Sequence, residues 1–125
     1  DGGGGEYEQQ LRAELELLRS AFFTAPEDQS AWFYHRWLLA QLEPAADAAD
    51  ASMRWQGVLR AELAVLSELI ELEPDCKWPL AAAAFLGAKL GDQPAQVTRQ
   101  LHTLSKVDPP RRKYYEHLLG PIPAE

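Results

Sequence analysis

The stretch Asp28-Gln-Ser-Ala-Trp-Phe-Tyr-His-Arg-Trp-Leu-Leu39 sets Trp32, Phe33, Tyr34, His35, Arg36 and Trp37 in one unbroken run behind a helix-start signal. Asp28 or Ser30 can cap a new N-terminus, because a short oxygen-bearing side chain accepts the backbone N–H groups that a first turn leaves unpaired. At 3.6 residues per turn the six side chains point nearly all round the axis, so the spacing predicts a helix with neighbours on more than one side. Just upstream, Thr24-Ala-Pro-Glu ends an earlier helix, since a proline cannot continue the hydrogen-bond ladder behind it.

Helical periodicity extends in both directions. From Glu6 to Phe23 the apolar residues Leu11, Leu15, Leu18 and Phe22 recur at helical spacing, with Arg12, Glu14, Glu16 and Arg19 opposite. The second helix stops at about Leu42, before Pro44. The alanine- and aspartate-rich Pro44 to Ala51 reads as a linker, having no large apolar residue to anchor it. A third helix is expected from about Ser52 to Leu72, striped by Trp55, Leu59, Leu63, Leu66 and Ile70 and broadened by Val58 and Leu69. Its glutamates, like those of the first helix, read as solvated faces. Lys77 to Lys89 is apolar almost all round, the pattern of a buried helix, and Gly91 closes it. Pro94 to Lys106 and Arg111 to Leu119 supply two more helices, separated by Asp108-Pro109-Pro110. The fold class is all-α, with about six helices in stacked antiparallel hairpins.

The breaks repeat. Aligning Pro26, Pro74 and Pro109 brings Leu18, Leu66 and Leu101 to one offset and Ala21, Leu69 and Leu104 to another; Trp32, Leu80 and Tyr115 stand six residues after each proline. Each unit is a long helix, a proline-marked turn with an acidic residue and a second helix, unable to bury its apolar face alone. The expected hairpins are about 6–42, 52–90 and 93–119, joined by the linker 44–51, with a glycine lead-in over 1–5 and a tail over 120–125. The prolines lie 48 and 35 residues apart, too irregular for tetratricopeptide repeats, which keep a period near 34.

Composition narrows the function. The 125 residues carry a formal charge of −7, against nucleic acid or an anionic membrane as partner. No apolar run reaches membrane-spanning length. The single cysteine, Cys76, allows neither an internal disulfide nor a thiolate metal cage, and fits the cytoplasm. His35, His102 and His117 share no ligand or triad spacing. Arg111, Arg112 and Lys113 form the only basic cluster. The start at Asp-Gly-Gly-Gly-Gly, without an initiator Met, reads as a segment of a longer protein.

Three stretches carry a family resemblance: PEDQSAWFYHRWLL (Pro26 to Leu39), ELEPDCKWPL (Glu71 to Leu80) and VDPPRRKYYEHL (Val107 to Leu118). The chain resembles the α subunits of protein prenyltransferases, built of helical hairpins whose second helix opens on a tryptophan signature, and within them the type II, Rab-directed class. The repeat-signature residues are then Pro26, Asp28, Trp32, Tyr34, Arg36, Trp37, Pro74, Trp78, Asp108, Pro109, Arg111 and Tyr115. The resemblance implies a crescent of hairpins around a β subunit that holds the catalytic zinc and the lipid pocket. It further implies geranylgeranyl transfer to C-terminal cysteines of Rab GTPases presented by a Rab escort protein. No catalytic, cofactor-binding or metal residue is expected in this chain. Upstream repeats of the family bear a Lys and a Tyr before the signature Trp; here Glu27, Asp28, Gln29 and Ser30 precede Trp32, and acidic groups repel a diphosphate. Trp32, Tyr34 and Trp37 are therefore expected to pack hairpins together, and Arg36 to bond a carbonyl or carboxylate of the neighbouring one. A free-standing helical-repeat interaction module, or the α subunit of farnesyltransferase or type I geranylgeranyltransferase, is the alternative. Animal type II members insert an immunoglobulin-like domain between the first two matching stretches and add leucine-rich repeats after the third; here Pro44 to Ala51 stands at the insertion point and the sequence ends at Glu125, as in a lineage lacking these domains or in a trimmed segment.

Overall fold

The structure is a computed structural model that describes residues 5–45 and 47–120. Most of the lead-in expected over 1–5, and all of the 120–125 tail beyond Gly120, lie outside the described residues. Six α-helices follow one another: α1 (Glu6–Thr24), α2 (Gln29–Leu42), α3 (Ala49–Leu72), α4 (Lys77–Leu90), α5 (Pro94–Val107) and α6 (Arg112–Leu119). A 3-10 turn at Pro109–Arg111 leads into α6, and no strand occurs among the described residues. The fold is all-α, as the periodicity predicts. α3 begins at Ala49, three residues ahead of the expected Ser52, so the end of the supposed linker is its first turn. Alanine is the best helix former, and Asp50 in that turn suits the positive end of the helix dipole.

The chain divides into two compact units, residues 1–65 and 66–125. In the first, α1 packs on α2 with Phe22 against Trp32, and Leu11 and Leu15 of α1, Ala31, Leu38 and Leu39 of α2 and Leu59 of α3 are buried. The long side chain of Trp55 donates Nε1–H to Leu39 O at 3.4 Å, a weak tie between the start of α3 and the end of α2. In the second unit Leu80, Ala84, Leu101, Leu104 and Tyr115 form the core, and Ile70, Ala81, Val97, Val107 and Leu119 pack against it.

Two glycines position α5 against α4. Gly91 ends α4 at φ 75°, the left-handed region that a Cβ disfavours, and its N–H bonds to Gly87 O. Gly87 allows the helices to touch: a Cβ added there would stand 2.6 Å from Val97 Cγ2. No described helix is long and apolar enough to cross a membrane.

Candidate functional site

The three proline turns are copies of one backbone device. In each, the residue before the proline donates its N–H to the carbonyl four residues earlier: Ala25 to Ala21 at 2.9 Å, Glu73 to Leu69 at 2.8 Å, Asp108 to Leu104 at 2.9 Å. The residue two after the proline then bonds back across it, Asp28 to Ala25 O, Cys76 to Glu73 O and Arg111 to Asp108 O, at 3.0–3.2 Å. That residue is the N-cap of the following helix every time. Asp28 adds a side-chain cap, its Oδ1 accepting from Ser30 N at 3.1 Å. Six residues past each proline the side chain points inward: Trp32, Leu80 and Tyr115 are all buried.

The first turn is locked by Trp32, which stacks face to face on Phe22 (centroids 3.8 Å apart, planes 2° apart). Its Nε1–H donates to Pro26 O at 2.7 Å, pairing the indole with a carbonyl of its own turn. One turn along α2, His35 meets both rings edge-on and is itself buried. Its Nε2 lies 2.9 Å from Glu62 Oε1, and Arg19 donates to Glu62 Oε2 at 3.0 Å. Glu62 is 2% exposed, so the expectation of a solvated glutamate face on α3 fails at this residue. It sits within the stripe of α3, three residues after Leu59 and four before Leu66. A buried carboxylate is tolerated there because both oxygens have partners.

The third turn is locked by charge. Asp108, 3% exposed, accepts from Tyr115 Oη at 2.6 Å through Oδ2 and from Arg111 Nη1 through both oxygens, at 2.9 and 3.2 Å. Lys77 Nζ approaches to 3.8 Å. Burial alone raises the Asp108 pKa; the hydrogen bonds from Tyr115 and Arg111 and the charges of Arg111 and Lys77 outweigh it, leaving the group below its usual range. Burial first, then the bond to Asp108, pushes the Tyr115 phenol well above its ordinary value. Arg111, the first member of the basic cluster, is thus engaged within its own turn.

The remaining signature residues divide. The inward set of α2, namely Ala31, Trp32, His35, Leu38 and Leu39, occupies a single arc of roughly 120° at 100° per residue. Phe33, Tyr34 and Trp37 are 58%, 39% and 49% exposed and Arg36 is exposed, so these four side chains lie outside the buried arc of α2. Tyr34 and Trp37 stack on each other, centroids 5.9 Å apart, on the side of α2 away from the Trp32–His35 arc. Tyr34 Oη donates to Glu14 Oε1 at 2.9 Å, and that bond, ahead of burial, raises the phenol pKa. Trp78 is half-buried, with Lys77 Nζ 5.2 Å from its ring centroid. The structure therefore unites Pro26 with Trp32, Tyr34 with Trp37, and Asp108 with Arg111 and Tyr115. Among the described residues no group of three His, Cys, Asp or Glu side chains could hold a metal ion.

Arg19, Glu62 and Lys77 are polar members of these networks that the sequence did not single out. Glu62 bears no local mark, since its partner His35 lies 27 residues earlier. Arg19 and Lys77 likewise look like surface cations until the fold supplies a buried carboxylate.

Such an arrangement, a helix closed by a proline turn and a second helix pinned back onto it, defines a structural repeat. Residues 11–42, which hold α1 from Leu11 and all of α2, match the sequence model of the protein prenyltransferase alpha subunit repeat. Over those residues the chain carries a repeat of this family. Among its relatives, geranylgeranyl transferase type-2 subunit alpha of Dictyostelium discoideum is 35% identical over 111 residues, 88% of this chain and 34% of that protein. The protein of the same name from Schizosaccharomyces pombe is 35% identical over 122 residues, 86% of this chain and 35% of its own length. The one from Rattus norvegicus is 71% identical over 34 residues, 27% of this chain and 6% of its own length. The chain thus spans about a third of the first two relatives.

Proposed function

We propose that this chain is a scaffold segment of the α subunit of a Rab geranylgeranyltransferase. In this role it supports a β subunit that transfers geranylgeranyl groups to C-terminal cysteines of Rab GTPases, with a Rab escort protein presenting the substrate. The observation that carries the reading is the threefold turn, three copies of one hydrogen-bond pattern, in a chain whose relatives over most of its length are type-2 α subunits. The segment does no chemistry of its own. Its buried acids Glu62 and Asp108 are engaged in structural contacts: Glu62 between His35 and Arg19, Asp108 among Tyr115, Arg111 and Lys77. A carboxylate closed to solvent and held by structural partners is not placed to reach a substrate. Zinc belongs to the β subunit in this reading, which a single cysteine and scattered histidines support. The lone Cys76 also suits work in the cytoplasm.

The test is co-expression of the α subunit that contains this chain with a type-2 β subunit, followed by affinity purification and a transfer assay with a Rab and its escort protein. The expected result is a heterodimer that transfers the lipid, with neither this chain nor the β subunit active alone. An α subunit that stays monomeric and never captures β would reject the reading in favour of an independent interaction module.

A further inference from the structure

Within the first unit, α1 and α3 enclose a groove of about 340 Å3 that the networks above leave open. It is lined by three arginines, Arg12 and Arg19 from α1 and Arg54 from α3, together with Gly57 and Ala61. Three cations in one groove are unexpected in a chain where acids outnumber Lys and Arg 19 to 12. Their partners are few: Arg12 Nη2 reaches Glu8 at 3.2 Å, Arg19 Nη2 reaches Glu62 at 3.0 Å, and Arg54 Nε lies 3.6 Å from the same Glu8 oxygen. Two carboxylates thus serve three guanidiniums. Glu16 and the already paired Glu62 also line the groove, which limits its net field. The Nε atoms of all three arginines are buried and make no hydrogen bond. An unmade bond at a buried donor is costly, and here the cost recurs three times around one concavity.

We infer that this groove binds a phosphate group. A planar guanidinium presents paired N–H donors that match a tetrahedral oxyanion, and several forks can share one phosphate because it offers more acceptor oxygens than a carboxylate. The arginine side chains are between a third and two-fifths exposed, so an anion from solvent reaches them. Gly57 keeps the entrance clear: a Cβ built there meets nothing within 4 Å. The phosphate arrives either as the free anion or as a monoester, and the groove reads the chemistry they share. This inference is independent of the role proposed for the parent subunit.

The probes are inorganic phosphate and O-phosphoserine, titrated at constant ionic strength against chloride, with the arginine Nε–H signals followed by NMR. Saturable shifts of Arg12, Arg19 and Arg54, with Arg99 in the second unit unmoved, are expected. Stronger binding of O-phosphoserine identifies the ester as the ligand, and equal binding the free anion. Arg54→Gln is expected to weaken binding about tenfold, the loss that follows one charge-assisted hydrogen bond. Gly57→Leu guards against misfolding as an explanation, since it fills the groove with a better helix former and is expected to abolish the shifts while the melting temperature holds. Shifts that follow ionic strength alone, or that survive Gly57→Leu in the folded protein, would overturn the inference.

Discussion

The first and third turns share a backbone and differ in what fastens it. Around Pro26 the fastener is an indole, stacked on Phe22 and bonded to a backbone carbonyl. Around Pro109 it is a phenol bonded to a buried carboxylate, which also holds Arg111. Both side chains stand six residues after the proline, and both bond to the turn that precedes their own helix. Between them Leu80 fills the same offset with hydrocarbon alone. The comparison teaches that the repeat preserves a hydrogen-bonded turn and a large inward side chain, while the chemistry joining them is free to change. It also makes the two ends respond differently to pH, since the Trp32 tie carries no charge and the Asp108 tie does.

Replacing the fasteners sharpens this contrast. Trp32→Ala removes the stack and the carbonyl bond together and is expected to cost about 3–5 kcal/mol in denaturant unfolding. Trp32→Phe, which keeps most of the stack, should cost far less. Asp108→Asn is expected to cost about 2 kcal/mol at neutral pH, the range for hydrogen bonds to a charged group. Because the folded protein holds the Asp108 pKa below its ordinary value, its contribution is complete above about pH 4. It fades as pH falls through the lowered folded pKa. The wild-type protein should therefore lose more stability below pH 4 than Asp108→Asn does, whereas Trp32→Phe should leave that acid limb unchanged. Parallel acid limbs in wild type and Asp108→Asn would break the contrast.

Two helix glycines extend it. Gly87→Ala forces a methyl group against Val97 and is expected to destabilise by about 1–2 kcal/mol despite alanine's better propensity. Gly57→Ala meets open space and is expected to stabilise by about 0.5–1 kcal/mol. Equal effects of the same sign in thermal melts would contradict the packing described for α4 and α5. Smaller again is the outer face of α2: Tyr34→Phe loses one exposed bond to Glu14 and should leave the melting temperature nearly unchanged.

The architecture was legible in the sequence for identifiable reasons. Pro26, Pro74 and Pro109 interrupt the helical pattern at chemically unambiguous points, and the inward offset shared by Trp32, Leu80 and Tyr115 follows from them. Glu62 was not legible, because a glutamate on a charge-rich helix looks solvated until His35 and Arg19 are brought to it by tertiary folding. The exposure of Tyr34 and Trp37 was not legible for a related reason. Aromatic character signals burial on average, but an arc calculation from Trp32 alone places both on the far side of α2. The early start of α3 at Ala49 came from alanine propensity prevailing where no apolar stripe marks a helix.

The central claim is that these residues supply shape and no chemistry. Its most direct test is the turnover of geranylgeranyl transfer by the assembled α–β enzyme carrying Asp108→Asn in its α subunit, measured below the melting point of both proteins. The account predicts a lower melting temperature and a kcat per assembled complex within about twofold of wild type. A fall of about tenfold or more, roughly 1.4 kcal/mol of barrier, in a complex still folded at the assay temperature and of unchanged subunit ratio would contradict it.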